Sequence, residues 1–359
     1  MDACFHQGLL PLEEAIAKIF SALKPLTEKI NIPLAESLDR ILAENIIAPI
    51  NVPGADNSAM DGYAIRQADA VAELTVIGES FAGHEFTGEV GVNQAVRIMT
   101  GALLPKGADA VVMQENVSRS ADKIRINKIP QLGENIRRAG EDIAKGAQVL
   151  TQGRMLNALD IGLLASLGIA QVDVFAPVKV ALFTTGDELL PAGADYIAGK
   201  IYDSNRPLLN ALLQRLPVEI LDLGIIPDNP DTLRSAFSQA QNFADLVIST
   251  GGVSVGDADY TGQILAERGE INFWKIAMKP GKPFAFGSLG KNSRGDDCWF
   301  CGLPGNPVST AVTYHQLVVP SLRYLAGETL GESLSIKATA SKPLKKQPGR
   351  VDFLSLIHI

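Results

Sequence analysis

The chain has 359 residues, 46% hydrophobic and 20% charged, with a formal net charge of −8. That length exceeds one ordinary core and predicts about two to four domains, while the acidic balance excludes a broad basic face for nucleic-acid polymers but not a small anion in a locally basic pocket. No basic start with an apolar core marks a signal peptide and no run of about 18 apolar residues marks a membrane span, so a cytoplasmic protein with no membrane partner is expected.

Leu12, Ala15, Ile16, Ile19, Phe20 and Leu23 recur at helical spacing, and Pro25 ends that helix. A second segment, 34–44, leads into 46–50, where Pro49 and Pro53 break the pattern. The small residues of Asn57-Ser58-Ala59-Met60-Asp61-Gly62-Tyr63-Ala64 allow close backbone approach, and Asp61 beside Gly62 reads by itself as a turn former. Residues 65–140 hold short strand-like runs at 74–77, 95–99 and 110–114, punctuated by Gly78, Gly83, Gly91 and Gly101. They read as a small inserted β domain, with Thr100-Gly101 and 105–109 as its most motif-like loops. Glu141-Asp142 after Gly140 closes the insertion, an acidic pair of the kind usually found in a solvated turn. Residues 144–177 return to helix on Leu156, Leu159, Ile161, Leu163, Leu164 and Leu167, stopping at Gly168.

From 178 to 327 short apolar runs recur at 178–183, 218–223, 246–249, 284–286 and 299–301. Loops rich in Gly, Asp, Ser or Thr follow them, and most are followed in turn by helical patterns. This alternation predicts a parallel sheet covered by helices on both faces, with ligands at the carboxyl ends of the strands. The pair Cys298 and Cys301 forms a lone CxxC that cannot close a zinc site, so both cysteines are expected on or beside a strand.

The loops are rich in phosphate and metal chemistry. Ser249-Thr250-Gly251-Gly252-Val253-Ser254 follows a strand and precedes a helix, so its glycines let backbone N–H groups converge on a phosphate. It is neither a Walker loop nor a dinucleotide fingerprint. Gly302 to Ser309 makes a second strand–turn–helix cradle, stiffened by Pro304 and Pro307. Asp187, Glu188, Asp203, Asp228, Asp257 and Asp259 lie in loops expected to meet at one edge, where so many carboxylates repel unless a cation such as Mg²⁺ neutralises them. Lys275, Lys279 and Lys282, set among Gly and Pro, suggest an anion site. The four histidines lie outside the motifs, against a Ser-His-Asp hydrolase or a His-ligated metal. The residues alone therefore indicate Mg²⁺-assisted chemistry on a phosphate-bearing ligand, with lysines holding a second anion.

TTGDEL (184–189), DSN (203–205), STGGVSVGDADY (249–260), KPGKP (279–283) and GLPGNPVS (302–309), preceded by NSAMDGYA (57–64), TGALLPKGADAVVMQE (100–115) and RRAGEDI (137–143), occur in one order. In that order they resemble the molybdopterin molybdenumtransferase (MoeA) family, similar to the E domain of gephyrin, over about residues 10 to 350. The resemblance implies a multidomain α/β protein with four parts. These are a discontinuous elongated, helical domain (1–45 and 144–177), an inserted β domain (46–143), a doubly wound, mostly parallel molybdopterin-binding domain (178–327) and an incomplete C-terminal β domain (328–359). The run from Leu354 to Ile359 departs from the family pattern.

The resemblance also implies substrates and roles. Molybdate is inserted into the dithiolene of adenylylated molybdopterin and AMP is released. Asp187, Glu188, Asp228 and Asp259 bind Mg²⁺ or polarise the attacking water, and Lys275 and Lys279 stabilise charge on molybdate and phosphate. Thr185, Gly186, Asp187, Ser204, Ser249, Thr250, Gly251, Gly252, Pro304, Gly305, Asn306 and Pro307 hold the pterin nucleotide. Asp61, Thr100 and Asp142 arrive from the second protomer of a homodimer. Contacts with the adenylyltransferase partner and with molybdoenzyme-loading proteins belong to the same picture. The alternatives are the related adenylyltransferase and a nucleotide pyrophosphatase of the competence-damage type, which share the core but lack the insertion, and a non-catalytic molybdopterin-binding scaffold.

Overall fold

The computed structural model describes residues 8–251, 260–331, 335–339, 341, 343–344, 346 and 348–354. The chain divides into two compact units. One is Met1–Glu44 with Gln152–Ile161 and Gln171–Ile359, and the other is Asn45–Thr151 with Gly162–Ala170.

The first unit is built on a six-stranded sheet. Its strands are β1 (Val178–Thr185), β2 (Val218–Ile226), β3 (Leu246–Thr250), β4 (Glu270–Lys275), β5 (Pro283–Lys291) and β6 (Asp297–Leu303). The helices of the chain are α1 (Leu12–Ala22), α2 (Ala158–Ser166), α3 (Asn205–Leu213), α4 (Pro230–Phe243), α5 (Tyr260–Arg268), α6 (Pro307–Thr313) and α7 (Val319–Leu325). Strand order is β2-β1-β3-β6-β5-β4. The first four in that order are parallel.

Side chains alternate across these strands, and each set finds its own helices. Val180, Leu182, Leu246 and Ile248 pack with Ile19 of α1, Leu209 of α3 and Leu322 of α7. Ala181, Phe183, Val247 and Phe300 pack on the other face with Phe237 of α4 and Ile264 of α5. Both faces are thus covered, which is why the strands read as unbroken apolar runs. Phe237 meets Phe183 edge-on with ring centres 5.2 Å apart, and truncating it to Ala would cost about 3–5 kcal/mol.

The sheet is mostly parallel, as expected, with two antiparallel strands at one side. The run 284–286 belongs to β5, which is antiparallel to β6, and β4, absent from the expected runs, is antiparallel to β5. The connections 276–282 and 292–296 are too short for a crossover, which needs about a dozen residues or more, so the chain can only double back. The second strand also outruns the expected apolar run 218–223: β2 continues to Ile226 past an irregularity in its pairing with β1. Cys298 and Cys301 do lie on β6, reduced and buried; burial pushes the Cys298 thiol up to about 12 and raises Cys301 further.

The segment 144–177 is less helical than expected. Only α2 is helix, while Gln148–Leu150 and Gln171–Phe175 are strands. The alternation of Val172 and Val174 with polar neighbours favours extended backbone. Gln171–Phe175 pairs antiparallel with Lys29–Pro33. Met278–Lys279 pairs in parallel with Val351–Asp352.

The second unit holds another six-stranded sheet, in the order Ala110–Met113, Gly62–Ile65, Gln94–Ile98, Glu73–Ser80, Lys123–Ile126, Val117–Ser120. Its core is Tyr63, Ile65, Leu74, Val112 and Ile124. A Cβ at Gly62 would stand 1.8 Å from the Val112 carbonyl oxygen, so only glycine fits there. Among the described residues no helix is long and apolar enough to cross a membrane.

Candidate functional site

Since β1, β2, β3 and β6 run the same way, Thr185, Ile226, Thr250 and Leu303 end at one edge of the first unit's sheet. Two reversals bring the turn 276–282 to that same edge. TTGDE, the start of the 251 loop, GLPGNP and KPGKP are therefore neighbours by topology.

The loops after β1 and β2 join through polar contacts. The Thr185 hydroxyl donates to Asp228 Oδ1, and the Asp228 N–H donates to Asp187 Oδ1 at 3.1 Å. Both carboxylates are exposed, and each keeps one oxygen without a protein donor among the described residues. Glu188, also exposed, folds back over Gly186, where a Cβ would stand 2.6 Å from Glu188 Oε2. Gly251 has φ +84°, and a Cβ on it would meet the Thr185 carbonyl oxygen at 2.3 Å. Glycine is needed there for backbone angle and space alike. Ser249 and Thr250 are buried, and the Ser249 hydroxyl has no partner among the described residues.

Asn306 caps α6, its side chain accepting from the Val308 and Ser309 N–H groups at 3.1 and 3.2 Å. Pro307 begins that helix, where its missing N–H costs nothing. The Thr310 hydroxyl donates to the Pro304 carbonyl at 2.6 Å. Around Gly305 the space is open, with nothing within 4 Å of a would-be Cβ. Lys275, Lys279 and Lys282 are exposed and meet no carboxylate among the described residues.

Asp203 leaves the expected open acidic cluster. It is 4% exposed, accepts from the Thr184 hydroxyl at 3.0 Å, and pairs with Arg206 Nε at 3.2 Å. Arg206 in turn reaches Asp222 at 2.7 Å. Its charge is thus met by an arginine from the same chain. Asp203 also accepts from the Arg206 N–H at 3.1 Å, so it does the capping at α3 that Ser204, exposed and without a side-chain cap, does not.

In the second unit Asp61 Oδ1 accepts from the Thr100 N–H at 2.8 Å and the Thr100 hydroxyl at 2.7 Å. These two donors hold the Asp61 carboxyl below the usual carboxylate range. Asp142 pairs with Arg137, and its N–H donates to the Val52 carbonyl at 3.0 Å. The three expected residues of this unit are therefore on the surface in hydrogen-bonded loops.

Gly252 and Asp259, with Asp257, lie outside the described residues. Among those described, no three His, Cys, Asp or Glu side chains gather as a metal site. The pair brought together is Asp187 with Asp228. It fits a hydrated Mg²⁺, which takes one or two carboxylates and keeps several waters.

A cavity of about 660 Å³ lies at the opposite, amino edge, lined among others by Lys24, Lys179, Asp245, Arg294 and Asp296. Asp245 there accepts from the Lys179 N–H at 2.8 Å and from Arg294, whose Nε also lies 3.4 Å from Asp296. Asp245, Arg294 and Asp296 satisfy one another there, so size alone does not make the cavity the site. Asn205, absent from the candidates read in the sequence, joins the loop after β6: its Nδ2 donates to the Gly305 carbonyl at 2.7 Å. Its signal was the position inside the DSN motif, directly beside Ser204.

Residues 10–168 match the MoeA N-terminal region (domain I and II), and residues 181–324 match a probable molybdopterin binding domain. The chain is 49% identical to the molybdopterin molybdenumtransferase of Haemophilus influenzae, covering 96% of this chain and 85% of that protein. Identity to the molybdopterin molybdenumtransferase of Nostoc sp. is 37%, with 88% and 74% covered. The crystal structure of the molybdopterin biosynthesis moeA protein from Pyrococcus horikoshii OT3 superposes with a TM-score of 0.82 at 31% identity, covering 96% of this chain and 86% of that one.

Proposed function

The chain belongs to the molybdopterin molybdenumtransferase family of molybdenum cofactor biosynthesis, and from that membership we propose that its first unit inserts molybdate into adenylylated molybdopterin and releases AMP. The supporting observation is the convergence, on one edge of one sheet, of the exposed Asp187–Asp228 pair, the Gly251 turn and three exposed lysines.

In this reading Asp187 and Asp228, with Glu188 beside them and Asp259 from the segment outside the described residues, hold Mg²⁺, which when bound supplies Lewis-acid stabilisation of charge on a phosphoryl oxygen. Lys275 and Lys279 hold molybdate and the phosphate next to it by charge-assisted hydrogen bonds. The buried Ser249 hydroxyl, Thr250, Gly251 and Gly252, together with Thr185, Gly186, Ser204 and Pro304 to Pro307, line the path of the nucleotide and pterin. Two bond exchanges balance the reaction: the two dithiolene sulfurs bond to molybdenum while one molybdate oxygen leaves as water with the two thiol protons, and a water oxygen bonds to the pterin phosphorus as the phosphoanhydride to the adenylate breaks and AMP departs. The test is AMP release from adenylylated molybdopterin with Mg²⁺. Release that requires molybdate supports the reading. Release indifferent to molybdate points to a pyrophosphatase, pyrophosphate formation from ATP and molybdopterin to an adenylyltransferase, and tight binding without turnover to a scaffold.

The same reading makes the protein a cytoplasmic homodimer. Asp61, Thr100 and Asp142 sit on surface loops of the second unit, and each site takes them from the other protomer. Asp61→Ala and Lys279→Ala, each strongly impaired alone at low molybdate, then complement on mixing. Random exchange in a two-fold dimer restores about a quarter of wild-type activity. Mixtures that stay inactive despite demonstrated subunit exchange rule out a shared site.

A further inference from the structure

We propose that Asn205 is a positioning residue that aims the Asn306 backbone N–H at an anionic oxygen of the bound nucleotide; this rests on the assignment of loop 304–307 to that substrate. Asn205 opens α3 and is 8% exposed. Its Nδ2 donates to the Gly305 carbonyl at 2.7 Å. Only the amide nitrogen can donate to a carbonyl, so the orientation of the side chain follows from chemistry. Its Oδ1 is buried without a partner among the described residues. A buried acceptor left unpaired is costly, so the side chain is kept in place by what its nitrogen does.

The anchor beneath it is firm. Asp203, two residues earlier, holds Thr184 at the end of β1. Leu209 and Leu213 of α3 are fully buried against the sheet. Residues 203–205 therefore tie the end of β1 to the loop after β6, although β3 lies between those strands. Thr310 holds the Pro304 carbonyl of the same loop.

The consequence follows from the planar peptide. The Gly305–Asn306 bond is trans, so its C=O and N–H point in opposite directions. Fixing the carbonyl on Asn205 turns the Asn306 N–H away from α3. That N–H has no acceptor among the described residues, and the space around Gly305 is open. A rigidly aimed, unused backbone donor beside open space is suited to a phosphate oxygen.

The test uses full-length Asn205→Ala and Asn205→Asp, with Asn292→Ala as control. Asn292 is buried at the amino edge and donates to Asp245 at 3.2 Å. Calorimetry measures Kd for adenylylated molybdopterin, alongside molybdate KM and melting temperature. Asn205→Ala should raise Kd about tenfold, the usual order for one hydrogen bond to a charged group. Asn205→Asp should be worse, because a carboxylate facing the Gly305 carbonyl repels it. Molybdate KM should not move, and Asn292→Ala should lower the melting temperature without changing Kd.

Wild-type Kd in both Asn205 variants, or tighter binding in Asn205→Asp than in Asn205→Ala, overturns the inference while the function stands. Should the Asn205 variants fail to fold, Asn306→Pro removes the N–H itself at a φ of −70° that proline accepts. Its partner Asn306→Ala loses the same cap and keeps the N–H. Equal Kd in that pair overturns the inference, and weaker binding by Asn306→Pro alone supports it. A wild-type protein that does not bind the nucleotide at all overturns the functional reading and this inference with it.

Discussion

The two edges of the central sheet use the same strands and the same residue types but dispose of charge in opposite ways. At the amino edge Asp245, 2% exposed, gathers the Lys179 N–H, Asn292 Nδ2 and the Arg294 guanidinium, while Lys291 closes on Asp297 at 2.7 Å. At the carboxyl edge three lysines stay exposed with no carboxylate among the described residues, and Asp187 and Asp228 keep free oxygens. Polar groups satisfied within the chain hold the fold; those left over are available to a ligand. The cavity of about 660 Å³ lies at the edge where Asp245, Arg294 and Asp296 already satisfy one another, so its volume is no argument for a ligand there.

The comparison breaks most directly at Asp245. Asp245→Ala leaves the Lys179 N–H without its acceptor and takes from Arg294 the more buried of its two carboxylates, and should cost about 3–5 kcal/mol in denaturant melts, as loss of one partner from a buried pair does. AMP release per folded molecule should stay at the wild-type level. A stable variant with reduced turnover would reverse the roles of the edges.

Lys275→Ala and Lys279→Ala should do the opposite. Each removes a charge-assisted contact to an anion, worth about 1.5–3 kcal/mol in binding or rate, so turnover at low molybdate should fall about 10- to 100-fold. Stability should change by less than about 0.5 kcal/mol, as for surface substitutions generally. Full turnover in both variants would remove the anion site.

Much of this contrast was legible in the sequence. The spacing of Leu12 to Leu23 gave α1, and the runs before TTGDE, STGG and GLPGNP gave the strands that set the carboxyl edge. Three things were not read. The reversal of β4 and β5 was available from the short connections 276–282 and 292–296, but an apolar run carries no direction. The neutralisation of Asp203 by Arg206 depends on where α3 starts and on Asp222 of β2, which is remote in sequence. Asp245 looked like any acidic residue before a strand, and only its burial beside Arg294 makes it structural. Local pattern reports which residues face a core; it does not report which charges will find each other.

A smaller effect sharpens the metal half of the comparison. Mg²⁺ bound only to the folded state should raise the melting temperature by mass action. Glu188→Gln and Asp228→Asn keep shape and lose charge, so metal-free stability should hold while the Mg²⁺ response and AMP release weaken together. If both variants respond like wild type, the carboxylates are only turn formers.

The smallest effect belongs to the second unit. The Thr100 donors lower the Asp61 pKa, so the pair contributes stability above the ordinary carboxylate range that is lost as pH falls through the lowered value. Thr100→Val deletes one donor. The Asp61 pKa, followed by carbon NMR of the carboxyl, should rise toward its ordinary value, and this stabilisation should vanish at a higher pH than in wild type. An unmoved titration would mean that the backbone donor alone sets it.

Amide hydrogen exchange of the full chain, with and without adenylylated molybdopterin and Mg²⁺, tests the central claim most directly. Ligand should slow exchange in peptides covering 184–189, 226–230, 249–251 and 302–309, at the carboxyl edge. Peptides covering 243–246 and 291–297, at the amino edge, should be unchanged. Protection at the amino-edge peptides with none at the carboxyl-edge loops would contradict the account.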